Sequence, residues 1–339
     1  MSNPAISYSF PLKKITKIDM QKQRAMIKLI LKLKSGDIAV GSYGAVISIW
    51  DPETKEFVQA WRAKGAVNDL IELDNNDLIA CCFENGNYIS IYKFDDEDEF
   101  IYENFDDIEC EGSIISALVK LDKNKFLYGT MNNTIVFWTE EENGGYKKEK
   151  EIKLESKDDM DCIYSLVKIS NGNFIATGFD LVKLINSEVT KVEKDIEFSQ
   201  PSCSFEDSQK HIWIGNSPGS ILVIDSDLNK LKEMKVHDSQ INKFSEFDNH
   251  IISASTDFKM KVWDLNTYEC LHTIEGYGEI TAISLINENC LVTAQGIPQV
   301  EDTKHYKEKD LLQFLVYYES EKNVRQICLD SRMSKSCRL

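Results

Sequence analysis

The sequence predicts an all-β fold: a seven-bladed β-propeller of four-stranded antiparallel blades. Three observations predict it. A short β-type run that closes on an aromatic or aliphatic residue, often followed by Asp, returns about every 40 residues. Between closings the chain reads as four short runs rich in β-branched and aromatic residues, punctuated by turn formers. At 339 residues the chain holds seven such units and leaves no room for a second large domain.

The clearest closing runs are Ala45–Asp51, Thr134–Thr139, Ser220–Asp225 and Lys259–Asp264. Aligned on the closing hydrophobe, the series is Trp50, Tyr92, Trp138, Leu184, Ile224, Trp263 and Tyr317, in steps of 42, 46, 46, 40, 39 and 54 residues. Blade six shows the grammar in full, from His237 to Ile274. Ile241–Phe247 is predicted as the inner strand, Asp248-Asn249 as a turn, His250–Ser255 as the second strand and Thr256–Lys259 as a tight connection. Met260–Trp263, the turn Asn266-Thr267 and Cys270–Ile274 complete the blade. The same pattern overlays Ile27–Trp61, Val67–Phe105, Ile114–Leu154, Cys162–Ile196, Pro201–Val236 and Ile280–Cys328.

The run from His237 through Ser253-Ala-Ser255-Thr-Asp257 to Trp263-Asp264 resembles a WD repeat. The resemblance implies a buried hydrogen-bonded tetrad of His237, Ser253 or Ser255, Asp257 and Trp263. The chemistry is reasonable on its own terms, because a His, an Asp and an indole N–H brought together can satisfy one another inside a packed blade. Only blade six carries the full set. Blade one has Trp50-Asp51 with Gly44 at the turn position, blade three has Trp138 with Asn132, and the other blades are degenerate. The resemblance spans nearly the whole chain and singles out no individual member of the WD-repeat family.

The hydrophobic share of 42% supports a sizeable core, and no apolar run approaches the length of a membrane-spanning helix. The N-terminal MSNPAISYSFPLKK lacks the continuous apolar stretch of a secretory signal. Nine cysteines with no CxxC spacing are expected to be small buried hydrophobes in a reducing compartment.

A single propeller is therefore expected over residues 1–339, with an N-terminal segment 1–24, a loop insertion 297–310 in blade seven and a flexible basic tail 330–339. An open ring would expose two sheet edges. Leu12–Ile18 and Val324–Leu329 compete for the outer edge of blade seven, and the sequence leaves that choice open.

Two surface features depart from the repeat. The residue before the turn position at the upper tip of each second strand is Tyr43, Phe83, Met131, Phe179, Ser217, Thr256 and Gly296. The first four are large, apolar and in consecutive blades; if exposed, they form an arc at the channel mouth suited to a partner's apolar anchor. The second departure is charge. Within a net charge of −17, Asp95, Asp96, Glu97, Asp98 and Glu99 lead an acidic stretch of blade two, and Glu140, Glu141 and Glu142 occupy the matching loop of blade three. These acids point to a basic partner segment, whereas residues 1–34 and the tail are basic. Nucleic acid would be repelled by most of this surface. The polar insertion Ile297–Asp310 is a further surface loop.

The five histidines, His211, His237, His250, His272 and His305, lack metal-ligand spacing, and neither a phosphate-cradling glycine loop nor a nucleophile elbow appears. The expectation is thus a non-catalytic protein-interaction scaffold, with no cofactor, no metal, no membrane association and no stable homo-oligomer, in the cytoplasm or nucleus. The ending Cys337-Arg338-Leu339 resembles a permissive peroxisomal tripeptide and is read as incidental. The alternatives are a substrate-recognition subunit of a ubiquitin ligase and a propeller that binds a small molecule or catalyses at its channel mouth.

Overall fold

The computed structural model describes residues 12–19, 26–95, 101–154, 162–288, 290–298 and 311–320. Among these residues the chain forms 28 strands, β1 to β28, arranged as seven four-stranded antiparallel sheets. The innermost strands are β2 (Ile27–Lys32), β6 (Ala66–Glu72), β10 (Ile115–Lys120), β14 (Ser165–Lys168), β18 (Pro201–Glu206), β22 (Ile241–Phe247) and β26 (Glu279–Asn287). Each packs beside the next in chain order, and β26 returns to β2, so the sheets close a ring.

The core lies between neighbouring sheets. Phe126, Trp138 and Tyr146 of blade three pack on Ile79 and Ile91 of blade two, and Phe247 and Met260 of blade six pack on Ile280 and Ile283 of blade seven. Ile27 and Val40 of blade one meet Val292 and Ala294 of blade seven, so the seam is a packed interface like the others. Turn chemistry follows the sequence where a left-handed backbone is needed. Asp248 and Asn249 have φ of 48° and 61°, the two-residue hairpin geometry that Asp and Asn tolerate.

Blade seven settles the choice that the sequence left open. Its strand order is β26, β27 (Cys290–Pro298), β28 (Leu311–Ser320) and β1 (Leu12–Asp19). The N-terminal β1 pairs antiparallel with β28 from Leu12↔Ser320 to Asp19↔Phe314 and takes the outer edge. Val324–Leu329 lies outside the described residues, as do the tail and the ending Cys337-Arg338-Leu339. The insertion begins later than expected, because Ile297 and Pro298 continue β27 opposite Leu312 and Leu311. The rest of the insertion, 299–310, lies outside the described residues.

Past the loop expected at Asp95–Glu99, the acidic stretch of blade two continues as strand. Much of it is the outer strand β9 (Ile101–Cys110), which pairs with β8 (Asn87–Asp95) and places Asp106 and Asp107 opposite Ile91 and Ser90. Strand pairing wins there because one strand of a blade's edge can turn its charges to solvent while Tyr102 and Cys110 remain buried.

Six inner strands share an irregularity. Register shifts fall at Lys28, Asn68, Ser116, Ser202, Asn242 and Thr281, where one residue bulges out of the ladder. Four of these side chains donate to a carbonyl just before or at the start of the next blade's inner strand. Asn68 Nδ2 reaches Ile115 O at 3.1 Å, Ser202 Oγ reaches Ile241 O at 2.6 Å and Asn242 Nδ2 reaches Ile280 O at 2.8 Å. Ser116 Oγ donates likewise to Ile163 O. Between blades four and five, Ser165 and Ser204 hydroxyls lie 2.9 Å apart. The bulges thus turn polar side chains sideways and join blade to blade around the channel.

Candidate functional site

The upper face is where each second strand ends and the chain turns back. Tyr43, Phe83, Met131 and Phe179 sit at these tips and are 41%, 41%, 40% and 39% exposed. Backbone hydrogen bonds fix the tips: Tyr43 N–H donates to Met26 O at 3.0 Å, and Met131 N–H donates to Ile114 O at 3.0 Å. Burying large apolar groups of this kind is favourable, so leaving four in water at one place is a cost that partner binding would remove. All four line one cavity of about 570 Å3 over the channel, with Gln200, Ser217 and Gln240 on the far wall and Lys28 among the inner residues. The structure thus brings together the four residues selected from the repeat alignment. Ser217 joins them, but Thr256 and Gly296 do not line this cavity.

The four groups of the tetrad meet inside blade six. His237 Nε2 lies 2.8 Å from Ser253 Oγ, and its Nδ1 lies 2.9 Å from Asp257 Oδ2. Trp263 Nε1–H donates to Ser253 Oγ at 3.0 Å. Ser253 is the serine in this chain; Ser255 instead donates to Ser239 O at 3.2 Å and accepts from Asp257 N–H at 3.1 Å. Burial holds the His237 imidazole below its ordinary value of 6.5, despite Asp257 beside it. Desolvation opposes ionisation of Asp257, but the Asp238 N–H, His237 and the Lys259 N–H together hold it below the usual carboxylate value. A neutral imidazole protonated on Nδ1 satisfies this arrangement, with Nδ1–H donating to Asp257 and the Ser253 hydroxyl donating to Nε2. His237 is 1% exposed, so the tetrad is a rivet inside the blade.

On the lower face, Asp95 ends β8, and Asp96, Glu97, Asp98 and Glu99 lie outside the described residues. In blade three, Glu140 accepts from Asn75 Nδ2 at 3.0 Å and from Asn124 Nδ2 at 2.7 Å. Glu141 pairs with Lys147 at 3.3 Å, while Glu142 is exposed. Glu140 therefore has structural partners of its own, and Glu142 is the freely presented acid of the three.

Two polar clusters escaped the sequence reading. Asp77, 3% exposed, receives Lys93 Nζ at 2.5 Å, the Tyr146 hydroxyl at 2.6 Å and Asn75 Nδ2 at 2.8 Å, joining blades two and three. Burial and Asp77 raise Tyr146 well above a free phenol. Asp207, also buried, accepts Trp213 Nε1–H at 2.8 Å. An Asp in the turn between the inner and second strands was the available signal for both, but a lone Asp in a turn looks the same when solvated. The bulge residues had a clearer signal, a Lys, Asn, Ser or Thr near the start of the inner strand at the repeat period.

A second cavity of about 710 Å3 lies below the seam and is lined by Asp37, Asp51 and Glu53 with Lys32 and Lys55. Its charges are of both signs, and Asp51 is occupied by the Glu53 and Thr54 N–H groups. Among the described residues no group of three His, Cys, Asp or Glu could hold a metal ion, and no helix is long and apolar enough to cross a membrane. The described cysteines are free thiols; burial pushes Cys82 and Cys203 up to about 11, which keeps them protonated.

Comparison with known families adds one match. The family model for the WD domain, G-beta repeat, covers residues 228–264, which run from the end of blade five through the third strand of blade six and include all of the tetrad. No curated protein matches the chain.

Proposed function

A WD-repeat β-propeller by that repeat and by its ring of blades, the chain is one that we propose acts as a non-catalytic docking platform for another protein, engaged at the upper channel mouth. WD-repeat propellers generally act as protein-interaction scaffolds, and the fold is typically non-catalytic. The observation that carries the reading is the convergence of Tyr43, Phe83, Met131 and Phe179 on one open cavity. Four consecutive blades each spend an exposed large apolar side chain there, and aromatic residues and Met are the types enriched at protein interfaces. Burial keeps the Cys82 and Cys203 thiols protonated, and His237 is locked in the tetrad, which supports a platform over a catalyst. The exposed Glu142 of blade three and the acidic composition of blade two support a separate contact for a basic partner segment.

The test is comparative capture from the source cell. Wild type and the double variant Phe83→Ala/Phe179→Ala, matched in melting curve, are used as bait. A protein retained in stoichiometric amount by the wild type and lost from the variant is expected. Identical sets of captured proteins would sink the upper-face reading.

A further inference from the structure

The molecule carries a net charge of −17, yet no Asp or Glu lines the channel-mouth cavity among the described residues. Among the described residues its one charged lining residue is Lys28, an exposed side chain at the bulge of the blade-one inner strand. The Lys28 ammonium stands 5.7 Å from the centre of the Tyr43 ring, so the cation is held beside the first member of the apolar arc. Among the described residues no carboxylate forms a salt bridge with it. Asp69, also on an inner strand, attracts Lys28 only from a distance and is itself occupied by the N–H groups of Leu118 and Leu70 at 2.8 and 2.9 Å. The opposite wall offers Gln200, Ser217 and Gln240, neutral groups able to hydrogen-bond a peptide backbone. A volume of about 570 Å3 falls in the range of roughly 300–1,000 Å3 found for ligand sites.

Resting on the docking role above, we infer that the mouth recognises a short acidic–apolar peptide segment of its partner. A large apolar side chain of the segment seats on the Tyr43–Phe83–Met131–Phe179 arc, and a carboxylate next to it in the chain pairs with Lys28. The amide and hydroxyl wall holds the backbone between them. The acidic remainder of the protein does not forbid this, because exposed charges beyond about 8 Å are screened at physiological ionic strength. The local contact decides. The carboxylate can come from an Asp or Glu side chain or from a chain terminus, and the two sources present the same group to Lys28.

A synthetic array of random octapeptides, printed in both amidated and free-carboxyl form, tests this on the full chain. Selected sequences should place Asp or Glu within two or three residues of Phe, Trp, Leu or Met. Enrichment confined to the free-carboxyl form identifies the terminus as the carboxylate source, and enrichment in both forms identifies the side chain. A selected peptide should bind Lys28→Ala on the order of tenfold more weakly and Lys28→Arg nearly as well as wild type. The Lys28→Glu variant should instead prefer the same peptide with its acid changed to Lys, a swap that a merely structural role for Lys28 would not produce. If peptides bind through Phe83 and Phe179 but are indifferent to Lys28, the docking reading stands and this inference fails. If no sequence is enriched, or neither set of variants alters binding, both fail.

Discussion

Ser253 is where the blade-six repeat is tied together, since one hydroxyl serves both His237 and Trp263. Removing a buried partner leaves donors unpaired, which costs about 1–3 kcal/mol. Ser253→Ala and Asp257→Ala should each lower the melting midpoint by that measure, and Ser255→Ala by less, because its hydroxyl serves only local backbone groups. Equal midpoints for the two serine variants would place the rivet elsewhere. The same residues set a pH dependence. His237 is held below 6.5 when folded, so as the pH falls through 6.5 the unfolded chain takes up a proton that the folded chain does not. Its stabilising contribution is complete above 6.5 and is lost below it. The Asp257 contribution, from a carboxyl held below 3.8, is complete above that value and disappears only in stronger acid. Denaturant midpoints of wild type and His237→Gln should therefore converge from about pH 7 to about pH 5. Parallel lines would mean that the imidazole titrates normally.

The tetrad members were legible because His, Asp and Trp are rare enough to be noticed at fixed offsets. The choice between Ser253 and Ser255 was not, since both point to the same face two residues apart. Blades one and three show why the set does not recur. Val40 and Tyr128 occupy the Ser253 position of those blades, and Trp50 Nε1–H turns to Ser48 on its own strand at 2.9 Å.

Strands of blades one to six were for the most part readable from their alternation and turns, with ends shifted by a few residues. Blade seven and the outer strand of blade two were harder. Competition between β1 and Val324–Leu329 is a choice between two edge partners of similar apolar character, which pairing rather than composition decides. The blade-two pattern was expected to end at Phe105, but its outer strand runs on through Asp106, Asp107 and Glu109 to Cys110, because a blade's outer strand needs only a minority of buried positions. Register shifts at Asn68, Ser116, Ser202 and Asn242 escaped a reading of strand alternation, because a bulge adds a residue without changing the overall repeat; the polar residue recurring at the repeat period was their signal. Ring closure by β1 has a direct consequence. Deleting residues 1–20 removes β1 and bares the edge of β28 along Phe314–Ser320. The truncated chain should melt lower and associate through that edge on size-exclusion chromatography. A monomer with an unaltered melting curve would show that β1 is dispensable.

The whole molecule combines a ring whose strength lies between blades with two unlike surfaces. The upper mouth gathers apolar groups from four blades over a channel wall of amides and hydroxyls, and the lower edge of blades two and three gathers acids. No single repeat shows this; the arc exists only once the ring brings equivalent tips together. That is why the sequence could nominate Tyr43, Phe83, Met131 and Phe179 by alignment but could not tell exposed tips from side chains packed between blades. The two surfaces differ in how they would act on binding. Exposed charge acts mainly on association and weakens with salt, whereas a buried aromatic anchor acts mainly on dissociation and can cost about 2 kcal/mol or more when truncated. The most direct measurement is the dissociation rate of the captured partner from wild type, Phe83→Ala and Phe179→Ala, at low and high salt. Faster dissociation from both folded variants at either salt concentration is the predicted result; dissociation rates equal to wild type at both would contradict docking at the channel mouth.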